Sequence, residues 1–577
     1  MKKFLPLLLI SLFIIQISYG QSDLNKKMLI RIDLGKKENI KLLENMVLDF
    51  ATENITEYAE VIVSQSEIDE INKRGFKTKE IPYTGPGFIG SAYHTHNELK
   101  ELMDGYARNF PNITFLDTIG ITDIQGNIIQ AIKISDNPLE DEDEPAILFD
   151  GQHHSNEPVG MESCIDIIEY LLNRYGVDQQ VTDWINSTEI WVVPMLNPDG
   201  WNYIIDNGLY NTYWRKNQRD NNDNGVFDAD DGVDINRNYD HNWITGGSGA
   251  IGSNTYRGPS IFSEPEARAK RDLALAQKFV LSISYHSYGQ VIIYSWSGDP
   301  SAPDQLLNRA YADSIAKRIP RFGSSGTYSP TESNCTTGFS RCWMYVHCGT
   351  LEVTCETATE FIPAASDAQQ IAQDNINGAL YLFDRLKSSM LTGHITDASS
   401  GLPISAEIKI TEIYQPVLNP RTSDEKYGRY YRPLLPGSYT VLVTKDGYIP
   451  KIIPSVAINN TSVTTLDISL VPDISSIDDQ LMPGSEKPFQ LLSYPNPFSG
   501  EINISYELKD IGEVQLGILD INGKLVCKLV DMVQIPGKQF YKWEGKDQSG
   551  TDLVPGYYIL SIRSGSKIES QRILKLN

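Results

Sequence analysis

The 577-residue sequence contains no H-E-x-x-H and no C-x-x-C, and beyond residue 20 it has no long apolar run. The first absence excludes the commonest helical zinc-protease motif. The second removes the usual cysteine pair of a structural zinc site. The third leaves no later segment with the ~20 apolar residues that a spanning helix needs. Basic residues are also scarce: 50 Lys and Arg stand against 74 Asp and Glu, a formal net charge of -24. Phosphate binding needs clustered cations, so nucleic acid is excluded as a partner. The acidic surface serves solubility instead. Only six cysteines occur, and Cys335, Cys342, Cys348 and Cys355 lie close together. In an exported chain such a cluster predicts two disulfides. The short-loop pairings Cys335–Cys342 and Cys348–Cys355 are expected, with Cys164 and Cys527 as lone buried thiols.

What is present is enough for several cores. The chain is 41% hydrophobic and 21% charged, and its length predicts three or four domains at roughly 150 residues each. Lys2 and Lys3 precede an apolar stretch from Phe4 to Ile17, with Ser18 and Gly20 behind it. This pattern predicts a secretory signal over residues 1–20. Residues 22–83 alternate short strands and helices and predict a small α/β module, followed by a linker at Tyr83 to Gly87. Residues 90–388 predict a larger α/β domain. Its first helix carries Leu99, Leu102, Met103, Tyr106, Ala107 and Phe110 at helical spacing and stops at Pro111. AILFD (146–150), EIWVVPML (189–196) and VLSISYH (280–286) read as buried strands separated by helices. The fold class expected is therefore α/β, a mixed and mostly parallel sheet flanked by helices. Two small all-β sandwiches are expected after it, at 391–471 and 489–577, with a polar linker at 472–488. In the second of these, Asn522-Gly523 between two apolar runs is a hairpin signal.

Chemistry enters at the end of AILFD, which runs into Gly151-Gln152-His153-His154-Ser155-Asn156-Glu157. His154 and Glu157, three apart, face one ion on a tight turn or first helical turn. His286, at the end of VLSISYH, is the candidate third ligand. Two His and one Glu leave a position for water, the catalytic rather than structural zinc pattern. Both histidines lie at the C-terminal ends of strands, where open α/β sheets gather their sites. Downstream, Asp220, Asn222, Asn224, Asp228 and Asp231 place oxygens at roughly alternate positions around Gly225, as a calcium loop does. A polar, solvated insertion is the alternative.

WRKN (214–217), GVDINRNYD (232–240), YHSYGQ (285–290) and TLEVT (350–354) follow DGQHHSNE in order. Together these motifs resemble the zinc carboxypeptidase family of the carboxypeptidase A and B type, over residues 90–388. The resemblance implies an exopeptidase that acts on peptide and protein C-termini, with one zinc ion on His154, Glu157 and His286. It implies Glu352 as the general base, with Glu356 as the alternative. A carboxylate there would take a proton from the attacking water and hand it to the leaving amine. Asn236 and Arg237 match the pair that grips the terminal carboxylate, a task suited to a forked, always-charged guanidinium. Arg215 matches the first Arg of the W-R-K segment. Gln218 occupies the position of the family's oxyanion Arg, and Arg219, one further on, is the candidate to replace it. Asn156 stands where many members carry Arg. Tyr328 is the candidate for the mobile Tyr that covers the bound residue. Arg341 falls at the floor of the side-chain pocket, which predicts a preference for C-terminal Glu or Asp.

The flanking segments carry resemblances of their own. Residues 22–83 resemble a carboxypeptidase prosegment, with a permanent accessory domain as the alternative. Residues 391–471 resemble the transthyretin-like sandwich that follows such enzymes. SYPNPFSGEINISYEL and the segment closing on Lys575 resemble the C-terminal sorting domain of the type IX secretion system. That resemblance implies passage through the periplasm to the cell surface or medium, with the secretion machinery as partner. A monomer is expected. The rival readings are a non-catalytic peptide-binding or adhesive surface protein and a zinc peptidase acting on cell-wall peptides.

Overall fold

The computed structural model of the chain describes residues 28–36, parts of 39–50, 58–81, 93–208, 213–296, 304–473, 488–521, 523–565 and 567–576. The expected signal at 1–20, the linker at 83–87, most of the linker at 472–488 and Asn522 lie outside the described residues. The chain divides into two units, Met1–Pro472 and Asp473–Asn577.

The first unit opens with a three-stranded antiparallel sheet of β1 (Met28–Asp33), β2 (Tyr58–Val63) and β3 (Lys77–Glu80), with β1 central. Its helix, Gln65–Lys73, starts in a reciprocal cap between Ser64 and Glu67, which satisfies two backbone donors at once. Ile30, Ile32, Val61 and Val63 face the module's own core, whereas Leu29 and Ile62 join the core of the domain that follows.

That domain holds an eight-stranded sheet. Its strands are β4 (Thr114–Ile121), β5 (Ile128–Ile134), β6 (Ala146–Gly151), β7 (Glu189–Val193), β8 (Leu281–Ser287), β9 (Val291–Ser295), β10 (Ser329–Ser333) and β11 (Leu351–Thr357), in the order β10-β9-β11-β8-β6-β7-β5-β4. The pairs β10/β9, β11/β8, β8/β6 and β6/β7 are parallel, and the remaining three are antiparallel. The mixed, mostly parallel sheet read from the sequence is what forms. The predicted strand at 189–196 ends early, at Val193, where Pro194 cannot donate to a ladder. The first helix, His96–Asn109, begins at a Thr95–Glu98 capping box.

Alternation divides the central strands between two faces. Ile147, Phe149, Leu281, Ile283, Tyr285, Leu351, Val353 and Cys355 belong to one core, packed by the helices Val159–Arg174, Gln305–Ala316 and Ala365–Leu386. The other face carries Asp150, Ser282, Ser284, His286, Glu352, Thr354 and Glu356, all buried. Burying so many polar groups in the middle of a sheet is costly unless each finds a partner. That face therefore holds the chemistry.

Strands from Met390–Asp397 to Ile468–Leu470 build two packed sheets over the core of Leu391, Ile395, Ile408, Val441 and Ile468. Arg429 grips Asp143 of the larger domain through two hydrogen bonds of 2.7 and 2.9 Å. In the second unit, sheets of three and four strands enclose Phe498, Ile504, Leu516, Trp543 and Ile562. Gly512–Leu519 and Leu525–Gln534 pair antiparallel, and Gly523 sits at φ 81 in the connection between them. No helix among the described residues is long and apolar enough to cross a membrane.

The cysteine prediction holds in part. Cys335 and Cys342 are joined, and Cys164 and Cys527 are free and buried. Cys348 and Cys355 are also free, which corrects the second pairing. Cys355 lies inside β11 on the face opposite Glu356, where its thiol donates to Asn375 Oδ1 at 3.2 Å.

Candidate active site

β6 ends at Gly151, and Gln152 turns the chain with φ 56. The Glu157 amide then bonds the His154 carbonyl at 3.2 Å, closing the turn that brings the two side chains together. Gly160 follows at once in the Val159–Arg174 helix. A Cβ there would stand 2.6 Å from the Tyr285 carbonyl, so only glycine lets this helix lie against β8. His286 is the next residue of β8, one before its end at Ser287. His154 Nδ1 is 2.8 Å from Glu157 Oε1, His286 Nδ1 is 2.9 Å from Glu157 Oε2, and the two Nδ1 atoms are 3.2 Å apart. All three residues are buried, and their ligand atoms lie within 4.8 Å of one another. Two imidazole nitrogens and a carboxylate converging on one point fit a zinc ion with an open coordination position.

The far side of His154 is held as a metal-ligating imidazole is usually held, by a carboxylate. Its Nε2 lies 3.2 Å from Asp234 Oδ1 and 2.7 Å from Arg215 Nη2. Arg215 Nε in turn donates to Asp234 Oδ2 at 3.1 Å. Burial works against the Asp234 charge, yet Arg215, Arg237 and His154 hold its carboxyl far below the usual range. Burial and the Arg215 charge disfavour a charged His154, but Glu157 and Asp234 outweigh them and raise its pKa. Asp234 was not singled out in the sequence. Its signal was there, two residues before Asn236 in GVDINRNYD.

Asn236 and Arg237 follow Asp234 in one tight turn, Ile235–Arg237. The Asn236 amide donates to Asp234 Oδ1 at 3.0 Å, and the Ser340 amide donates to Asn236 Oδ1 at 2.9 Å. The Arg237 guanidinium lies 4.5 Å from the centre of the Phe339 ring, and that of Arg341 lies 4.3 Å from the same ring. Arg341 is buried and donates to Ser333 Oγ at 2.8 Å. The disulfide between Cys335 and Cys342 closes the short loop that carries Phe339.

Four expectations are corrected. Glu352 is not at the triad. It pairs with the buried Lys270 at 3.0 Å and accepts from Ser282 and Ser340. Its neighbour across β8 is Ser282, while the neighbour of His286 is Glu356. Arg219 turns away to pair with Glu264 at 3.2 Å, and Gln218 bonds Gln125. Tyr328 is 3% exposed, packed inward beside the Ala365–Leu386 helix with its hydroxyl near Asn375, so it covers nothing. The oxygens expected to hold calcium cap backbone amides instead: Asp220 accepts from Gly225, Asn222 from Asn224, Asn224 from Val226, Asp228 from Asp230 and Asp231 from Asn221 and Asp228. Calcium is not supported. Asn156, where the family often has Arg, is buried.

Residues 99–378 match the zinc carboxypeptidase family, and residues 493–576 match the secretion system C-terminal sorting domain. Carboxypeptidase D of Mus musculus is 24% identical over 417 residues, covering 68% of this chain and 28% of its own length. The chain thus spans little more than a quarter of that relative. A zinc carboxypeptidase of Saccharothrix mutabilis subsp. capreolus is 27% identical over 303 residues, covering 51% of this chain and 67% of its own. The crystal structure of carboxypeptidase A from Helicoverpa armigera shares the fold, with a TM-score of 0.54 at 20% identity over 63% of this chain and 98% of that one.

Proposed function

Because this chain carries a zinc carboxypeptidase domain and a secretion system C-terminal sorting domain, we propose that it is an exported zinc exopeptidase that releases single residues from peptide C-termini. The observation that carries this reading is the convergence of His154, Glu157 and His286 beside the Asp234–Asn236–Arg237 turn. A zinc ion held by the three ligands would polarise the scissile carbonyl and lower the pKa of water towards ~7.

The residues of the chain do the rest. Glu356 is in register with His286 on the adjacent parallel strand, which sets the two side chains on one face about 5 Å apart. We assign the general base to Glu356 in place of Glu352. Glu356 takes the proton from the attacking water and delivers it to the amine as the peptide C–N bond breaks. Arg215 and Asp234 orient His154. Asn236 and Arg237 bind the terminal carboxylate. Arg341, which lies against the Phe339 ring as Arg237 does, pairs with a carboxylate on the departing side chain, which makes C-terminal Glu and Asp the preferred residues.

The N-terminal module supports a prosegment role. Glu60, 2% exposed, accepts from the Tyr288 hydroxyl at 2.5 Å and from Arg31 Nε at 2.9 Å. Tyr288 stands two residues beyond His286, so this bond ties the module to the segment that follows a candidate ligand.

The test is release of free amino acids from a mixed peptide library, with and without a zinc chelator, on the chain with and without residues 1–83. Chelator-sensitive release of single C-terminal residues, faster from the shorter form, is expected. Absence of release from either form with zinc bound would replace this reading with a peptide-binding protein.

A further inference from the structure

Lys270 projects from the Pro265–Gln277 helix into the polar face of the sheet and is fully buried. Its ammonium lies 2.8 Å from Asp150 Oδ2 and 3.0 Å from Glu352 Oε2. Both carboxylates are buried as well. Burial disfavours an ammonium ion here, but the two carboxylates outweigh it and raise the Lys270 pKa above its ordinary value.

Two branches leave this ion cluster. On one side, Asp150 Oδ1 accepts from Ser284 Oγ at 2.7 Å and lies 3.3 Å from His153 Nδ1. The His153 ring stacks on His286, with centroids 5.2 Å apart and planes within 18°. On the other side, Ser340 Oγ donates to Glu352 Oε1 at 2.9 Å. The Ser340 amide donates to Asn236 Oδ1, which fixes the way that side-chain amide faces. Asn236 then leads through Asp234 to His154. The network thus runs beneath the site from one histidine ligand to the other, and Lys270 is its keystone cation.

We propose that Lys270 is a positioning residue, whose ammonium, shared between Asp150 and Glu352, sets the stacked His153–His286 pair and the Asn236 carboxylate clamp in one fixed relation. This rests on the exopeptidase reading for its effect on substrate, but not for its effect on the metal. A buried ion cluster is often no more stabilising than an apolar replacement. Its use here is geometric, since ligands of a metal site keep their orientation through the groups behind them.

The test compares the full chain with the variants Lys270→Met/Glu352→Gln and Ser340→Ala. The double variant removes one positive and one negative charge together, so the net charge of the cluster is unchanged. It is expected to fold, to weaken zinc about 10-fold in competition with a chelator, and to raise KM for peptides with a free C-terminal carboxylate more than it lowers kcat. Ser340→Ala leaves every charge in place and keeps the backbone amide that meets Asn236, but removes the hydroxyl that ties this turn to Glu352. It is expected to raise KM about 10-fold with zinc affinity unchanged. Unchanged zinc affinity and unchanged KM in the folded double variant overturn the proposal, as does unchanged KM in Ser340→Ala. Should the wild-type chain cleave no peptide, the exopeptidase reading fails on its own, and the chelator competition still decides for or against Lys270.

Discussion

Glu356 and His286 are in-register neighbours across the parallel pair β11/β8, whereas Glu352, on the same face of β11, is in register with Ser282. Four residues of strand, at about 3.3 Å each, separate the two carboxylates along the sheet. Replacing Glu356 by Gln is expected to lower kcat about 10²- to 10⁴-fold with little change in KM, the range of a lost general base. Steady-state kinetics on one peptide checks it. A Glu356→Gln enzyme with wild-type kcat would return the role to another group.

Metal content should follow the triad. His154→Ala, Glu157→Ala and His286→Ala are each expected to lose the bound zinc, measured as metal per chain after gel filtration. Asp234→Asn should keep the metal but hold it 10- to 100-fold more weakly, since it removes only the carboxylate behind His154. Equal affinity in Asp234→Asn and wild type would show that Arg215 alone holds the imidazole.

The pair of guanidiniums around Phe339 predicts substrate preference. Peptides ending in Glu should be cleaved faster than those ending in Leu, and those ending in Lys slowest. Arg341→Met is expected to lower kcat/KM for Glu-ended peptides about 10- to 100-fold, as a charge-assisted contact of about 1.5–3 kcal/mol is lost, and to spare Leu-ended ones. Arg237→Met should impair both classes alike. Slow cleavage of Glu-ended peptides by the wild type sinks the assignment of Arg341.

Stability should decline through Glu266 as pH rises from about 4.3 to about 8. Burial, with the adjacent Glu264 charge, pushes its pKa up to about 8, against the Asn217 hydrogen bond that opposes the shift. In the unfolded chain the value returns to about 4.3. Between these values the folded state binds the extra proton, so stability falls as pH rises. The contribution is complete below about 4.3 and gone above about 8. Glu266→Gln should flatten that part of the stability profile, read from urea unfolding at pH 5 and pH 8 for both proteins. Parallel profiles would remove Glu266 from the account.

The sheet was legible because its central strands announce themselves. AILFD and VLSISYH are short buried runs, each ending in polar residues, and the sheet forms through them. The Leu99–Phe110 periodicity likewise became the His96–Asn109 helix. Tyr328 was misread because a Tyr in a turn-rich stretch has no sequence mark of its own facing. Its ring joins the core beside the Ala365–Leu386 helix, further along the chain, where Asn375 meets its hydroxyl. Arg219 was misread for a related reason: a one-residue offset after Trp214 turns the side chain from the triad to Glu264.

By itself the sequence determined what is local. His154 and Glu157 meet because a turn of three residues brings them together, and Asp234, Asn236 and Arg237 cluster because they share one turn. Tertiary structure decided whatever depends on register between distant segments. Glu352 and Glu356 have the same strand, the same face and the same chemistry, because side chains alternate with a period of two. Only the alignment of β11 on β8 sets Glu356 beside His286 of the candidate metal site and leaves Glu352 to the buried ammonium of Lys270.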